Sequence, residues 1–362
     1  MEISERARQL HQRAIIIDGH SDILLPVVRG VTSLTDPWPA SERARWEAIA
    51  NQQTAHNSPN WSYTLDPMAT LTAPSGQFEL PLLEAGGVTA LCASVYVPDT
   101  DLDRAQEWGL RMVAALHRAI EANPERCLLI QSAADIRRAK AEGKVGYILT
   151  MEGMEPVGRQ LDLIDIYARL GLKMTTLTHS RRNALADGTQ RGITMGGLTY
   201  LGRDALVRLA EFGVVVDLAH ISDASFWDII EAVDGPLLLS HTSLLTVDPL
   251  YRAAFDHVFP TYGMTKAQAI AAKGGLIGVV FWSQPDTERL VDELDAIIAQ
   301  IGPEHAGLGT DFYGFRQAPR DLQDSSQLPQ LTEAMVRRGY DDDTILQILG
   351  GNYLRIFEQV WR

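Results

Sequence analysis

The feature that most constrains this chain is a series of eight short apolar runs, each ending near a polar turn. Runs of this length that are apolar almost throughout are typical of strands buried on both faces of a parallel sheet. We predict strands at about 14–18, 88–97, 146–151, 173–178, 214–218, 236–240, 276–281 and 306–309. Five of the runs end on a side chain able to bind a metal or move a proton: Ile15-Ile16-Ile17-Asp18-Gly19-His20-Ser21-Asp22, Gly146-Tyr147-Ile148-Leu149-Thr150-Met151-Glu152, Thr176-Leu177-Thr178-His179, Val214-Val215-Val216-Asp217-Leu218-Ala219-His220 and Leu237-Leu238-Leu239-Ser240-His241.

Segments with apolar residues at three- and four-residue spacing follow most of these runs, which predicts helices between the strands. The predicted helices are 101–122, 135–142, 160–170, 222–233, 265–273 and 286–301, with two more at 326–338 and 342–361. Alternating strands and helices imply parallel pairing with right-handed crossovers. A ring of such units, each delivering a side chain from the end of its strand, is how a (β/α)8 TIM barrel builds an active site. We therefore predict an α/β protein with this fold.

The length of 362 residues fits one catalytic barrel domain spanning residues 1–362. Regular spacing is interrupted at about 29–80, a long insertion after the first strand that is rich in Pro, Ser, Thr and Trp. Such a loop on the catalytic face predicts a lid or a subunit-contact arm, or else a surface excursion packed on its own Trp residues. The C-terminal helices at about 326–361 carry an apolar face that would seal the barrel or form a subunit contact.

Composition argues against several classes of function. The net charge is -14 and the basic residues are dispersed, so no nucleic-acid surface is expected. No apolar stretch reaches the roughly 20 residues of a membrane span. The first ten residues carry charges where a signal peptide has its apolar core, and the two cysteines, Cys92 in a strand and Cys127 at a helix end, form no CxxC pair. These features predict a protein of the reducing cytoplasm.

His20 and Asp22 stand two residues apart at the end of the first strand. An extended backbone points both side chains to the same side, so that one ion can bind both, although a turn with a capping Asp is the alternative. Glu152 ends the third strand, and its two carboxylate oxygens allow it to bridge two cations. The alternative for Glu152 is a salt bridge at the rim of the barrel.

His220 and His241 each end an apolar run and lie 21 residues apart, which is one strand-helix unit. Two imidazoles on neighbouring strands suit a second ion, whereas a single such His is more often a hydrogen-bonded core residue. Together with His20, Asp22 and Glu152 they make a set of three His, one Asp and one Glu. This set suits two zinc ions, which prefer nitrogen and oxygen donors.

Asp311 and His179 end the eighth and fourth strands without being needed as ligands. A carboxylate at the position of Asp311 could take a proton from an attacking water and give it to a leaving group. His179 could be a further ligand, but with both metal sites supplied it is better suited to polarise a substrate oxygen.

Taken together, these segments resemble the membrane (renal) dipeptidase family of zinc peptidases. They occur in the family's order from residue 14 to about residue 358, and the ordered set is far more specific than any one motif. No signal peptide or lipid-anchor tail is visible in the sequence. In this respect the chain resembles soluble bacterial members of the family. The matching segments are Ile17-Asp18-Gly19-His20-Ser21-Asp22, Glu152-Gly153, Leu177-Thr178-His179 with Asn183 and Ala186-Asp187, Asp217-Leu218-Ala219-His220, Ser240-His241-Thr242-Ser243 and Gly309-Thr310-Asp311-Phe312.

The resemblance implies an amidohydrolase-type barrel that binds two zinc ions per chain and often forms a homodimer. The positions matching the first metal site are His20, Asp22 and Glu152, with Glu152 shared between the sites. Those matching the second site are His220 and His241.

The resemblance also implies roles in substrate binding and catalysis. His179 matches the histidine that contacts the substrate and its oxyanion, and Asp311 matches the acid/base aspartate. Arg252 matches the arginine that holds the C-terminal carboxylate of the dipeptide, although the residues after it, 253–256, depart from the family pattern. Tyr313 is a further departure, since many members have a second Asp there.

The leading hypothesis is a binuclear zinc dipeptidase in which a metal-bridging hydroxide attacks the peptide bond of a dipeptide, including dipeptides with a C-terminal D-residue. One alternative is a metal-dependent amidohydrolase with the same metal site that hydrolyses a different bond, in a non-peptide amide, a lactam or an N-acyl amino acid. Another alternative is a folded but inactive binding or scaffold protein.

Overall fold

A computed structural model describes residues 2–30, 32–36, 77–189, 196–245, 255–282, 284–314 and 318–361. Its centre is one parallel sheet in which eight strands follow one another in chain order around a ring. A short ninth strand, β3, lies off this ring and pairs with β4. The strands are β1 (Ile17–Ser21), β2 (Ala90–Tyr96), β3 (Cys127–Leu129), β4 (Val145–Glu152), β5 (Leu172–Thr176), β6 (Val215–Asp217), β7 (Leu238–Thr242), β8 (Leu276–Val279) and β9 (Ala306–Leu308).

The ring closes where the first strand meets the segment after the last one. The backbone N–H of Asp311 donates to the carbonyl of His20 at 3.1 Å, and the N–H of Asp22 donates to the carbonyl of Phe312 at 3.2 Å. The nearly closed ring of eight parallel strands confirms the predicted TIM barrel. It also brings the carboxyl ends of all eight strands to one face, where seven of the predicted site residues lie.

Helices alternate with the strands, as the spacing of apolar residues predicted. Thr265 and Gln268 form a capping box at the start of α9. The described helices are α1 (Glu5–Arg13), α2 (Leu24–Val28), α3 (Leu80–Ala85), α4 (Ala105–Ala122), α5 (Ala133–Glu142), α6 (Leu163–Arg169), α7 (Tyr200–Glu211), α8 (Asp223–Ala232), α9 (Lys266–Ala272), α10 (Thr287–Ile301), α11 (Leu328–Arg338), α12 (Asp342–Leu346) and α13 (Asn352–Val360).

Several elements were not predicted. The strand β3 has only three residues and begins at Cys127, which we had placed at a helix end. The helix α7 was missed because the long segment that carries His179 separates it from β5. The three short helices α1, α2 and α3 were missed as well.

The predicted helix at 342–361 is broken in the structure. Between α12 and α13 the chain makes a π-helical turn, Gln347–Gly351. A Cβ on Gly350 would lie 2.4 Å from the carbonyl oxygen of Ile15, so a glycine allows the chain to approach the start of β1 this closely. The break lets Tyr353 and Phe357 of α13 pack, fully buried, against residues from seven strands of the ring. This helix therefore seals the barrel, as one of the two sequence-based alternatives proposed.

Most of the insertion predicted at about 29–80 lies outside the described residues. Its two ends are described, at 32–36 and 77–80, and they meet where the N–H of Leu80 donates to the carbonyl of Leu34 at 2.9 Å. No helix within the described ranges is both long and apolar enough to span a membrane.

Candidate active site

Seven of the predicted site residues converge at the carboxyl ends of the ring strands. Arg252 lies outside the described residues. The seven are His20 and Asp22 at the end of β1, Glu152 at the end of β4, His179 after β5, His220 after β6, His241 on β7 and Asp311 after β9.

Glu152 lies at the centre of this cluster. Its Oε1 is 3.0 Å from Nε2 of His220, 3.5 Å from Nε2 of His20 and 3.7 Å from Nε2 of His241. The Nε2 atoms of His220 and His241 are themselves 2.9 Å apart. One carboxylate thus faces three imidazoles that come from three different strands.

Two further carboxylates face His20. Its Nε2 lies 3.8 Å from Oδ1 of Asp22 and 3.7 Å from Oδ1 of Asp311. Three groups of potential ligands have all their donor atoms within 4.8 Å of one another: His20 with Glu152 and His241, Glu152 with His179 and His220, and His20 with Asp22 and Asp311. Glu152 and His20 each belong to two of these groups.

Without a bound cation, the pKa values of the three clustered carboxyl groups are all raised. Burial, with the charges of Asp217 and Glu155, raises the pKa of Glu152 to about 8. Burial and the charge of Glu152 raise the pKa of Asp22, and burial with the charges of Asp22 and Glu152 raises the pKa of Asp311. A bound cation would reverse this effect, because it favours the ionised forms.

The histidines are held neutral. Burial lowers the pKa of His20 to about 3 and that of His220 to about 4. Burial and the neighbouring histidines also lower the pKa of His241 and of His179. A neutral imidazole keeps one nitrogen lone pair free, which is the form that binds a metal.

The donor set fits a metal on further grounds. Nε2 of His20 and Oδ1 of Asp22 are buried atoms without a hydrogen-bond partner, although a buried polar atom normally has one. A cation held between them would satisfy both atoms. Imidazole nitrogen and carboxylate oxygen are donors that suit divalent zinc.

Strained backbone occurs where the site residues leave their strands. Among the described residues, His220 and Asp311 have φ values of 60° and Tyr313 has 70°, which place these non-glycine residues in the left-handed region. Such conformations persist only where the surroundings hold them, and they concentrate at functional sites. Gly153, with φ of 84°, follows Glu152, and a Cβ there would lie 3.0 Å from the backbone N of His179. Glycine thus admits a close approach between two site segments.

Two buried aspartates that we had not assigned a role hold together the strand ends that carry the candidate ligands. Oδ1 of Asp18 accepts from the N–H of Thr310 at 2.9 Å and from the N–H of His20 at 3.3 Å. Oδ1 of Asp217 accepts from the N–H groups of Ser240 and Ala219 at 2.9 and 3.1 Å. Their signal was present in the sequence, since both stand inside the apolar runs that end on His20 and His220.

The Asp217 carboxylate also orients His241. The Ser240 hydroxyl donates to Asp217, and its oxygen lies 2.9 Å from Nδ1 of His241. Because the hydroxyl proton is used by Asp217, the oxygen accepts from Nδ1–H. Nε2 of His241, which faces Glu152, therefore carries no proton and has a free lone pair. This arrangement is typical of metal-binding histidines.

The segment after β5 holds His179 over the cluster. Oδ1 of Asn183 accepts from the N–H groups of residues 185 and 186, and its Nδ2 donates to the carbonyl of Leu177 at 2.7 Å. The His179 ring lies between those of Tyr96 and His220, with centroid separations of 4.7 and 4.2 Å. Tyr96, at the end of β2, is a site residue that we did not predict.

Taken together, a TIM barrel with buried histidines and carboxylates at the carboxyl ends of its strands defines a metal-dependent hydrolase. The family model described as membrane dipeptidase (peptidase family M19) matches residues 4–362. The chain therefore belongs to this family, which confirms the resemblance seen in the sequence.

Individual relatives agree with the family. The chain is 27% identical to the dipeptidase ataJ from Aspergillus terreus, with 98% of this chain and 87% of the relative covered. The structure of dipeptidase AC, a family M19 metallopeptidase, aligns with a TM-score of 0.75 at 25% identity over 96% of this chain and 99% of that one. A Rhodobacter sphaeroides metallopeptidase bound to a phosphinate mimic of L-Ala-D-Ala aligns with the same TM-score and coverage at 24% identity. The protein is a metal-dependent dipeptidase.

Proposed function

We propose that this dipeptidase binds two zinc ions, one at His20, Asp22 and Glu152 and the other at Glu152, His220 and His241. The observation that carries the proposal is the position of Glu152, whose Oε1 lies within 3.7 Å of Nε2 of all three histidines. A carboxylate has a second oxygen as well, so it can serve two ions at once. When bound, the ions would polarise the substrate carbonyl and lower the pKa of a water molecule.

In this proposal Asp311 moves the proton. A carboxylate at this position can accept a proton from water and release it to the departing amine. Its carboxylate is 3.7 Å from His20, so it lies at the edge of the metal-binding cluster rather than apart from it. Its strained backbone is consistent with a group held in place for catalysis.

His179 would stabilise the oxygen of the scissile carbonyl as negative charge develops on it. Because burial keeps this imidazole neutral, one ring nitrogen carries a proton that can be donated to that oxygen. The Tyr96 and His220 rings restrict the ring of His179, so the donor would be oriented before the substrate binds.

Substrate selection would depend on Arg252, which we propose binds the free carboxylate of the dipeptide through a bidentate contact. Such a contact restricts cleavage to very short peptides, because a longer peptide has no carboxylate at that distance from the scissile bond. We extend the proposal to dipeptides with a C-terminal D-residue, supported by the mimic bound to the Rhodobacter sphaeroides metallopeptidase. The homodimer and the cytoplasmic location stay predictions.

The test of Asp311 is the variant Asp311→Asn, which keeps the shape of the side chain and removes its acid/base function. We expect two zinc ions per chain, as in the unmodified protein, and a loss of turnover of about 100-fold or more. Asp311→Asn protein that hydrolyses dipeptides at the normal rate would refute the role.

The test of Arg252 compares free dipeptides with their C-terminally amidated forms, using zinc-loaded protein. Cleavage of the free L-Xaa-L-Xaa and L-Xaa-D-Xaa dipeptides but not of the amides would support the role. In Arg252→Met the preference for the free carboxylate should disappear, mainly through a higher KM. Equal cleavage of amides and free dipeptides by the unmodified protein would contradict the proposal that Arg252 binds the free carboxylate.

A further inference from the structure

Tyr313 lies two residues after Asp311, and its side chain is buried. Its hydroxyl donates to Oε1 of Glu79 at 2.6 Å and accepts from the N–H of Gln77 at 3.1 Å. Its own N–H donates to Oε1 of Gln77 at 3.0 Å. The neighbouring Phe312 packs edge to face against Phe78, with ring centroids 5.1 Å apart. The turn that begins with Asp311 is thus attached to residues 77–79.

Those residues belong to the stem of the long insertion, which we define as residues 32–36 and 77–80. The Thr32 hydroxyl donates to the same Oε1 of Glu79 at 2.6 Å. The N–H of Leu80 donates to the carbonyl of Leu34 at 2.9 Å. One carboxylate oxygen therefore joins both ends of the insertion to the turn that carries Asp311.

Glu79 is costly to bury, and the proposed metal site and reaction make no use of it. Its side chain is 1% exposed, and its Oε2 has no hydrogen-bond partner. A buried carboxylate with an unpartnered oxygen is normally disfavoured, so its retention calls for a role. The role that its contacts indicate is to hold Tyr313.

The turn itself needs such support. Asp311 and Tyr313 both have left-handed backbone conformations, which non-glycine residues keep only when surrounding contacts hold them. On one side the turn is fixed to β1, where the N–H of Asp311 donates to the carbonyl of His20. On the other side it is fixed by Tyr313 to Gln77 and Glu79. Loss of the second attachment would free the backbone from which the Asp311 carboxylate projects.

We propose that Tyr313 is a positioning residue for Asp311 and that it acts through its hydrogen bonds to Glu79 and Gln77 in the stem. The proposal rests on the proton-transfer role proposed for Asp311. It makes the stem of the insertion part of the apparatus that places the proton-transfer group.

The test is Tyr313→Phe, which removes the hydroxyl and keeps the ring. A slightly displaced catalytic group reduces the rate steeply, so we expect kcat about tenfold lower with KM and metal content unchanged. The matched control is Tyr167→Phe, since Tyr167 on α6 is equally buried but its hydroxyl has no partner. This control should keep the kcat of the unmodified protein. If Tyr313→Phe does not fold, Thr32→Val removes a donor to the same Glu79 oxygen and should lower kcat in the same way.

A positioning role is separated from a general structural effect by combining Tyr313→Phe with Asp311→Asn. If Tyr313 acts through Asp311, the double variant should be no less active than Asp311→Asn alone. This residual activity can be measured at high enzyme concentration. An equal fold-loss in both backgrounds, or an unchanged kcat in Tyr313→Phe alone, would overturn the inference. Full turnover by Asp311→Asn alone would instead overturn the proposed function.

Discussion

Asp18 and Thr310 join the first strand of the barrel to the segment that follows the last one. Oδ1 and Oδ2 of Asp18 accept from the backbone N–H and the hydroxyl of Thr310 at 2.9 and 2.7 Å. His20, two residues after Asp18, belongs to the proposed metal-binding cluster. Asp311, the residue after Thr310, lies at the edge of that cluster. The relative position of these two groups therefore depends on a buried carboxylate that need not touch the substrate.

Replacing Asp18 by Ala should weaken metal binding, because residues that support metal ligands typically contribute 10- to 100-fold in affinity. Asp18→Asn retains Oδ1 as the acceptor for Thr310 and His20, and the Thr310 hydroxyl can turn to accept from the new amide. We therefore expect Asp18→Asn to bind zinc within a few-fold of the unmodified protein. Zinc affinity measured by competition with a chelator checks both variants, and equal affinity in Asp18→Ala would show that the link has no such effect.

Ser240→Ala tests the support of a single ligand. Without the hydroxyl, Nδ1–H of His241 loses its acceptor, so the ring is less well oriented. We expect one of the two proposed zinc ions to bind about tenfold more weakly, while the other is little changed. Ser94→Ala is the control, because the Ser94 hydroxyl is buried on β2 without a partner. Isothermal titration should distinguish the two variants, and identical zinc binding by both would count against the Asp217–Ser240–His241 chain.

The dependence of stability on pH should differ between the metal-free and zinc-loaded proteins. In the metal-free protein the pKa of Glu152 is about 8, well above its unfolded value of 4.5, so unfolding releases a proton between these pH values. The stability of the metal-free protein should therefore fall as pH rises towards 8. In the zinc-loaded protein the ionised Glu152 is paired with metal, and this loss should be absent.

The measurement is the difference in Tm between zinc-loaded and chelated protein at pH 6.5 and pH 8.5. We expect a larger difference at the higher pH, with zinc added at the same excess. In Glu152→Gln the side chain does not titrate, so its contribution to the pH dependence should vanish. A Tm difference that shrinks as pH rises would contradict the assignment of Glu152 as a ligand.

The residues that converge could be predicted because each proposed ligand stands at the end of an apolar run. The ring then brings residues as distant in sequence as His20 and His241 together, so local patterns sufficed for the fold and for the residues that converge. The roles of Asp18 and Asp217 could not be read in the same way. Their partners are Thr310, just after β9, and Ser240 on β7, at sequence separations of 292 and 23 residues.

Contacts between residues distant in sequence also explain the errors in the predicted elements. The continuous apolar face of 342–361 predicts one helix, and only the close approach of Gly350 to Ile15 shows why it must break. The three-residue strand β3 is too short to carry a periodic signal and depends on pairing with β4. Tyr313 was noted as a departure from the family pattern, but its partner Glu79 lies 234 residues away.

The central claim is that two ions held around Glu152 carry out dipeptide hydrolysis, and a metal titration tests it most directly. Chelated protein would be titrated with zinc while the ions bound per chain and the hydrolysis of a free dipeptide are measured together. The account predicts no activity in the chelated protein and full activity at two zinc ions per chain. Hydrolysis by fully chelated protein, or saturation at one ion with full activity, would contradict it.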